Sequence, residues 1–262
     1  IDIVAIDNIG DSASTKKLAV NAKGATISIG DNALADDVRG IRVIAIDDIA
    51  NAAVTVGDVT IATGASTDAG KRVGDADPAN GIDGVIIVSG DDIADSTIET
   101  GSTSITTNKT KVNGPVIGVT LAAVGGDIDN STVTIGKTDV LVQGGSVTDD
   151  IFGVDVRAGD LVDSNTADKT TTSLTIDKGV SVIVNGGAAV NDGKNNQDVT
   201  GVNIGSARIA DGADVTIKGV AVTVTGKNAN GDAAQAARVI GVNATAVYDK
   251  IAGFRSANKG TS

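Results

Sequence analysis

Apolar residues recur along this chain in a fixed order that does not follow helical stripes. An apolar residue, one variable residue and a glycine are followed at once by a short alternating apolar run. The pattern stands at Val38-Arg39-Gly40 before Ile41-Arg42-Val43, at Ile82-Asp83-Gly84 before Val85-Ile86-Ile87, and at Val116-Ile117-Gly118 before Val119-Thr120-Leu121. It returns at Ile151-Phe152-Gly153 before Val154-Asp155-Val156, at Val199-Thr200-Gly201 before Val202-Asn203-Ile204, and at Val239-Ile240-Gly241 before Val242. The glycines lie 44, 34, 35, 48 and 40 residues apart. A period in this range marks a repeat architecture, in which each unit buries its apolar face against the next.

Each unit has inner structure. After the glycine run comes an apolar corner followed by turn formers: Ile49-Ala50-Asn51, Ile93-Ala94-Asp95-Ser96, Ile128-Asp129-Asn130-Ser131, Leu161-Val162-Asp163-Ser164 and Ile209-Ala210-Asp211. Asp, Asn and Ser suit such corners because their side chains bond nearby backbone groups. Period-two runs follow at Val54-Thr55-Val56, Val133-Thr134-Ile135, Leu174-Thr175-Ile176 and Val215-Thr216-Ile217, and again at Val59-Thr60-Ile61, Val140-Leu141-Val142, Val180-Ser181-Val182 and Val220-Ala221-Val222. Alternating β-branched residues read as strands. Insertions of loop composition fall at Gly64 to Asn80, Asn165 to Thr172 and Gly186 to Asp198. The pattern predicts one all-β, repetitive, elongated domain over 1–262, with units at approximately 1–40, 41–84, 85–118, 119–153, 154–201 and 202–241 and a partial cap at 242–262. A parallel β-solenoid of about six irregular coils is the expected fold. The alternative is an array of small strand-strand-helix-strand modules, distinguished by helix content and by whether successive strands pair parallel.

Composition supports the strand reading. There are 32 Asp but one Glu, Glu99, and 34 Gly. Helical proteins use Glu freely, whereas Asp favours caps and turns. Short helices remain open at Ala33 to Arg39 and Asp232 to Arg238. The aromatics are Phe152, Tyr248 and Phe254. A large compact core draws on rings, but a thin stacked core needs only small branched residues in ladders.

Histidine, cysteine, methionine and tryptophan are absent, so no disulfide or thiolate metal site can form. No stretch approaches the ~20 apolar residues of a membrane-spanning helix. The net charge of −12 argues against nucleic acid and anionic membrane surfaces as partners. Together with the repeat, these features lead us to expect an abundant extracellular protein. No leader is legible at Ile1, as expected of an excised or processed chain.

Candidate chemistry is sparse. Paired carboxylates stand at Asp36-Asp37, Asp47-Asp48, Asp91-Asp92 and Asp149-Asp150, and two carboxylates flanking a glycosidic bond can act as acid and base. Adjacent strand residues point to opposite faces, however, and no aromatic platform accompanies them. The expectation is recurrent turn acids, no catalytic residue and no cofactor. Calcium candidates are Asp75, Asp77 and Asp83, although the glycine after the first two sits one place late for an EF-hand loop and no bidentate Glu follows. Thr55, Thr134, Thr175 and Thr216 could line one flat face, as in ice-binding solenoids, but the pattern offers one Thr per unit, and Thr is an ordinary strand residue.

The final unit carries a resemblance. Val215-Thr216-Ile217-Lys218-Gly219 and Val220-Ala221-Val222-Thr223-Val224 are followed by Asp232-Ala233-Ala234-Gln235-Ala236-Ala237-Arg238 and by Gly241-Val242-Asn243-Ala244-Thr245-Ala246-Val247. This resembles the hook IN motif of bacterial flagellins over about fifty residues, with weaker versions at Val133 to Arg157 and Ala25 to Ile46. The helix slot shrinks near Pro115-Val116, and the Ile-Ala-Asp-Ser corner is foreign to the motif. The resemblance implies the exposed outer domain of a flagellin, meeting other filament copies through flanking regions. Without the terminal polymerising helices, this stretch alone is not expected to form a filament. No fixed site residues carry over. A β-helical adhesin or autotransporter passenger, binding a glycan or host surface, fits the same pattern.

Overall fold

The computed structural model describes residues 1–31, 33, 35, 37–65, 72–73, 81–162, 172–185, 189–190, 197–209, 213–226, 236, 238–246 and 254–256. Among them there is no helix, and the strands form two large sheets and one small one. The first sheet stacks the glycine strands, Asp2–Ala5, Val38–Ala45, Ile82–Ser89, Val116–Ala123, Ile151–Val162, Val199–Ile209 and Val239–Ala246. Corner strands Ile9–Gly10, Ile49–Ala50, Ile93–Ala94 and Ile128–Asp129 join the same sheet. The second sheet begins with the long strands Leu18–Ile29 and Ala52–Thr63 and continues as pairs of shorter strands, from Thr97–Thr100 with Thr103–Asn108 to Asp214–Ile217 with Val220–Val224.

Every strand pairing among the described residues is parallel and joins a strand to its counterpart one unit away. Val38 pairs with Ile82, Ile82 with Val116, Val116 with Ile151, Ile151 with Val199, and Val199 with Val239. The irregular spacing of the glycines is therefore the irregular length of one repeat unit. Absence of helix and parallel pairing both depart from the strand-strand-helix-strand alternative. Of the segments where short helices were open, Val38 and Arg39 are strand, while Ala33, Ala35, Asp37, Ala236 and Arg238 are non-helical. Seven rungs about 4.8 Å apart stack to about 30 Å along the axis.

The parallel register lines side chains into columns. Ile41, Val85, Val119, Val154 and Val202 form one inward column, each no more than 1% exposed. Val242 ends it and is 39% exposed. The glycine one place before this column faces the second sheet. A β-carbon on Gly84 would stand 2.3 Å from Thr103 Cγ2 and 2.4 Å from the Gly118 carbonyl oxygen; on Gly118 it would meet Thr138 Cγ2 and the Gly153 carbonyl at the same distances. The glycine thus sits where the two sheets are in close contact, and at Gly40, Gly84, Gly118, Gly153 and Gly201 any larger residue would part them.

The column that meets these glycines runs Ala25, Val59, Thr103, Thr138, Val180 and Val220. Thr103 and Thr138 are buried, and neither hydroxyl has a hydrogen-bond partner among the described residues. A buried, unpaired hydroxyl costs about 1–3 kcal/mol. Thr138→Val, which matches the next residue in its column, is expected to raise stability by about 1–2 kcal/mol in denaturant titration. A loss of stability would show that the hydroxyl has a partner.

The corners at Asn51, Asp95 and Asn130 follow the sequence signal closely, while the turn residues 163–164 and 210–211 lie outside the described residues. Asn51, Asp95 and Asn130 adopt left-handed backbone with φ of 48°, 51° and 47°, a conformation that short polar side chains tolerate. The serine after Asp95 and after Asn130 turns inward. Ser96 Oγ donates to the Ala94 carbonyl at 2.7 Å and accepts from the Ala52 amide at 3.0 Å, and Ser131 Oγ accepts from the Ser96 amide at 3.0 Å. Each buried serine thereby ties two coils together.

The third sheet was not legible as strand. Arg72–Val73, Lys111–Val112, Ser146–Val147 and Ala189–Val190 pair in parallel within segments of loop composition. Two-residue strands are too short to show periodicity.

Candidate functional site

The outer face of the first sheet holds a groove of about 430 Å³. Ile117, Thr120, Ala122, Val124 and Ala158 give it an apolar lining, and Asp155 and Arg157 supply its charge. Asp155 and Arg157 are two apart on one strand and therefore share a face. Asp155 is 1% exposed and is held by Arg157 Nη2 at 2.7 Å and Asn203 Nδ2 at 2.8 Å. Asn243 Nδ2 in turn donates to Asn203 Oδ1 at 2.7 Å. At the opposite end of the same column Arg42 binds Asp2, and this ion pair holds the Asp2 carboxyl below its ordinary range. The groove lining contains one carboxylate and no histidine, cysteine or lysine, so it offers no acid–base pair.

The recurrent acids serve the backbone. Asn8 Oδ1 accepts from the Asp48 amide at 2.8 Å, Asp48 Oδ1 from the Asp92 amide at 3.0 Å, Asp92 Oδ1 from the Asp127 amide at 2.7 Å, and Asp127 Oδ1 from the Asp160 amide at 2.7 Å. One corner is thus laced from coil to coil by a carboxylate ladder. Asp150 does the same for the Asp198 amide at 2.8 Å, and Asp198 is paired with Arg238. Of the four acidic pairs, Asp47-Asp48 and Asp91-Asp92 stack in one corner. Asp149-Asp150 belongs to another, where Asp149 Oδ1 accepts from the Asp150 amide at 2.7 Å. Asp37 pairs with Arg39 at 2.6 Å, and Asp36 lies outside the described residues. A hydrogen bond to Asp7, with burial and neighbouring carboxylates, raises the Asp47 pKa; burial raises that of Asp127 and of Asp150.

Of the calcium candidates, Asp75 and Asp77 lie outside the described residues. Asp83 is 9% exposed, in register with Arg39 on one side and Ile117 on the other. Among the described residues no three acidic side chains converge on a metal position. Burial, with a smaller push from Asp37, raises the Asp83 carboxyl to about 7 against an opposing pull from Arg39. Its folded pKa therefore lies above its unfolded value of 3.8. The folded form keeps a proton that the unfolded chain releases, so this position costs stability as pH rises from about 4 and costs it fully above about 7. Asp83→Asn is expected to raise the melting temperature at pH 8 and much less at pH 5, a difference on the order of 2–4 kcal/mol. An equal change at both pH values would place the carboxylate in a paired environment.

The threonine face is fuller than the sequence reading allowed. Thr134, Thr175 and Thr216 do stand side by side, with Glu99 between them and Thr55. Two residues earlier runs a second row, Thr97, Thr132 and Ser173, ending in Asp214. The signal for it was the Thr-x-Thr spacing at Thr132 and Thr134. Glu99 and Asp214 interrupt the two rows with charge.

No family model, curated protein or solved structure matches the chain.

Proposed function

We propose that this chain is a non-catalytic structural domain displayed on a bacterial cell surface, built as a parallel β-solenoid. The observation that carries the reading is the use made of its recurrent polar residues. The carboxylates at Asp48, Asp92, Asp127 and Asp150 and the hydroxyls of Ser96 and Ser131 bind the backbone of neighbouring coils rather than converging on a common point. A chain whose repeated chemistry maintains the stack is suited to presenting a regular surface to an extracellular partner.

Two settings suit such a domain. In-register parallel stacking across seven rungs, with no helix among the described residues, supports a β-helical adhesin or autotransporter passenger, with a glycan or host surface as partner. The flagellin-like reading rests on the resemblance of the last unit, whose described strands are Asp214–Ile217, Val220–Val224 and Val239–Ala246. Under that reading the partners are other copies of the filament protein.

Antibody against the domain, applied to intact cells of the source organism, tests the placement. Labelling that is removed by mild external proteolysis supports surface display, and its pattern on filaments or on the cell body separates the two settings. Labelling only after lysis contradicts the proposal, and turnover of a polysaccharide by the purified chain contradicts its non-catalytic part.

A further inference from the structure

Three lysines stand at one corner of the second sheet in three successive coils. Lys137 lies between Thr132–Ile135 and Thr138–Gln143, Lys178 between Ser173–Ile176 and Val180–Asn185, and Lys218 between Asp214–Ile217 and Val220–Val224. The strands on both sides of each connection pair in parallel, so the three connections stack. The corner is not basic throughout. Val59 and Thr103 precede Thr138 in its column, and the residues before them are Asp58 and Ser102. The cations are gathered on one stretch of the stack.

A groove of about 390 Å³ lies among these lysines. Gly179 and Gly219, with left-handed backbone at φ of 85° and 71°, line it without side chains. Asp139, Ser181 and Ala221, also in the lining, stand side by side in register. Lys137 Nζ binds Asp139 Oδ2 at 2.6 Å, and Lys218 Nζ binds Asp177 Oδ1 at 2.5 Å. Lys178 has no such partner among the described residues. All three lysines are exposed, and exposed ion pairs are weak enough to exchange for another anion. Three ammonium groups against two carboxylates leave the groove positive in a chain of net charge −12.

From this placement we infer that the groove binds an acidic polysaccharide, with its carboxylate or sulfate groups along the lysine row. Neighbouring rungs are about 4.8 Å apart, so a chain of repeated anions can meet all three cations, whereas a lone small anion cannot span the row. The acidic remainder of the surface repels a broad anionic membrane or a nucleic-acid duplex. No aromatic side chain lines the groove for unpaired bases to stack on. Such a ligand gives a chemical class to the glycan partner proposed above, and its cellular relevance rests on the adhesin-like setting.

Titration of the purified chain with polygalacturonate, dextran sulfate and neutral dextran, near 0.15 M salt where the Debye length is about 8 Å, tests the inference. The expected result is binding to one or both polyanions that weakens as salt rises, and none to neutral dextran. The two polyanions separate a carboxylate-bearing partner from a sulfate-bearing one. Lys178→Gln is expected to weaken binding about fivefold. Lys137→Gln, Lys178→Gln and Lys218→Gln together are expected to weaken it more than about tenfold, with the fold verified by circular dichroism. Asp139→Asn with Asp177→Asn releases two ammonium groups and is expected to tighten binding. Failure to bind either polyanion, equal binding by the triple variant, or equally tight binding of neutral dextran or a single-stranded oligonucleotide would overturn the inference. None of these results bears on surface display, which the labelling of intact cells decides separately.

Discussion

Replacing Val154 with Asp is expected to cost the domain about 3–5 kcal/mol, a large part of the stability of an ordinary domain. Val154 is 0% exposed and lies between Val119 and Val202 in the innermost column. A carboxylate there meets branched aliphatic side chains above and below and has nothing to bind it. Each coil of a stacked repeat is stabilised by its two neighbours, so damage in a middle rung weakens both interfaces. Thermal unfolding followed by far-ultraviolet circular dichroism should show a large drop in melting temperature, partly recovered at low pH as the new carboxyl protonates. Val242→Asp, at the exposed end of the same column, should do far less. An unchanged melting temperature for Val154→Asp would remove the column from the core.

Gly118→Ala is expected to cost about 3 kcal/mol or more. The added methyl would meet the Gly153 carbonyl oxygen at 2.4 Å as well as Thr138 Cγ2 at 2.3 Å, and the carbonyl belongs to backbone that cannot turn aside. Thr138→Ala in the same chain should recover only the side-chain part of that cost. Gly241 supplies the control, because a β-carbon built on it has nothing within 4 Å. Gly241→Ala is expected to be close to neutral. Equal effects at the two positions in chemical denaturation would mean that the glycine recurs for chain flexibility rather than for close approach of the sheets.

These two positions also show how much was legible in the sequence. Glycine spacing and the alternation after it were sufficient to align Ile41, Val85, Val119, Val154, Val202 and Val242, which the register brings into one column. Turn formers after Ile49, Ile93 and Ile128 located corners, since left-handed backbone favours Asn and Asp. What the glycine faces was not legible, because its neighbours Thr103 and Thr138 come from a strand of the other sheet. Nor was the carboxylate ladder from Asp48 to Asp160, in which each acid binds an amide 33 to 44 residues later. Acid pairs adjacent in sequence invite a catalytic reading, yet the partners that matter lie one coil away. Asp83 stood out in the sequence as a calcium candidate; its burial depends on the fold.

Stacking of successive coils in the stated register is the central claim, and an introduced disulfide tests it most directly. The chain has no cysteine, so an engineered pair reports without background. Thr106 and Leu141 are partners in adjacent coils, both half-buried on the outer face of the second sheet. Neighbouring parallel strands place such residues about 4.8 Å apart, within the span of a disulfide. Thr106→Cys with Leu141→Cys should close rapidly within one molecule under mild oxidation and leave the circular dichroism unchanged. Thr106→Cys with Asp139→Cys, two residues out of register, should close poorly. Efficient closure of the offset pair, or of neither, would contradict the stack.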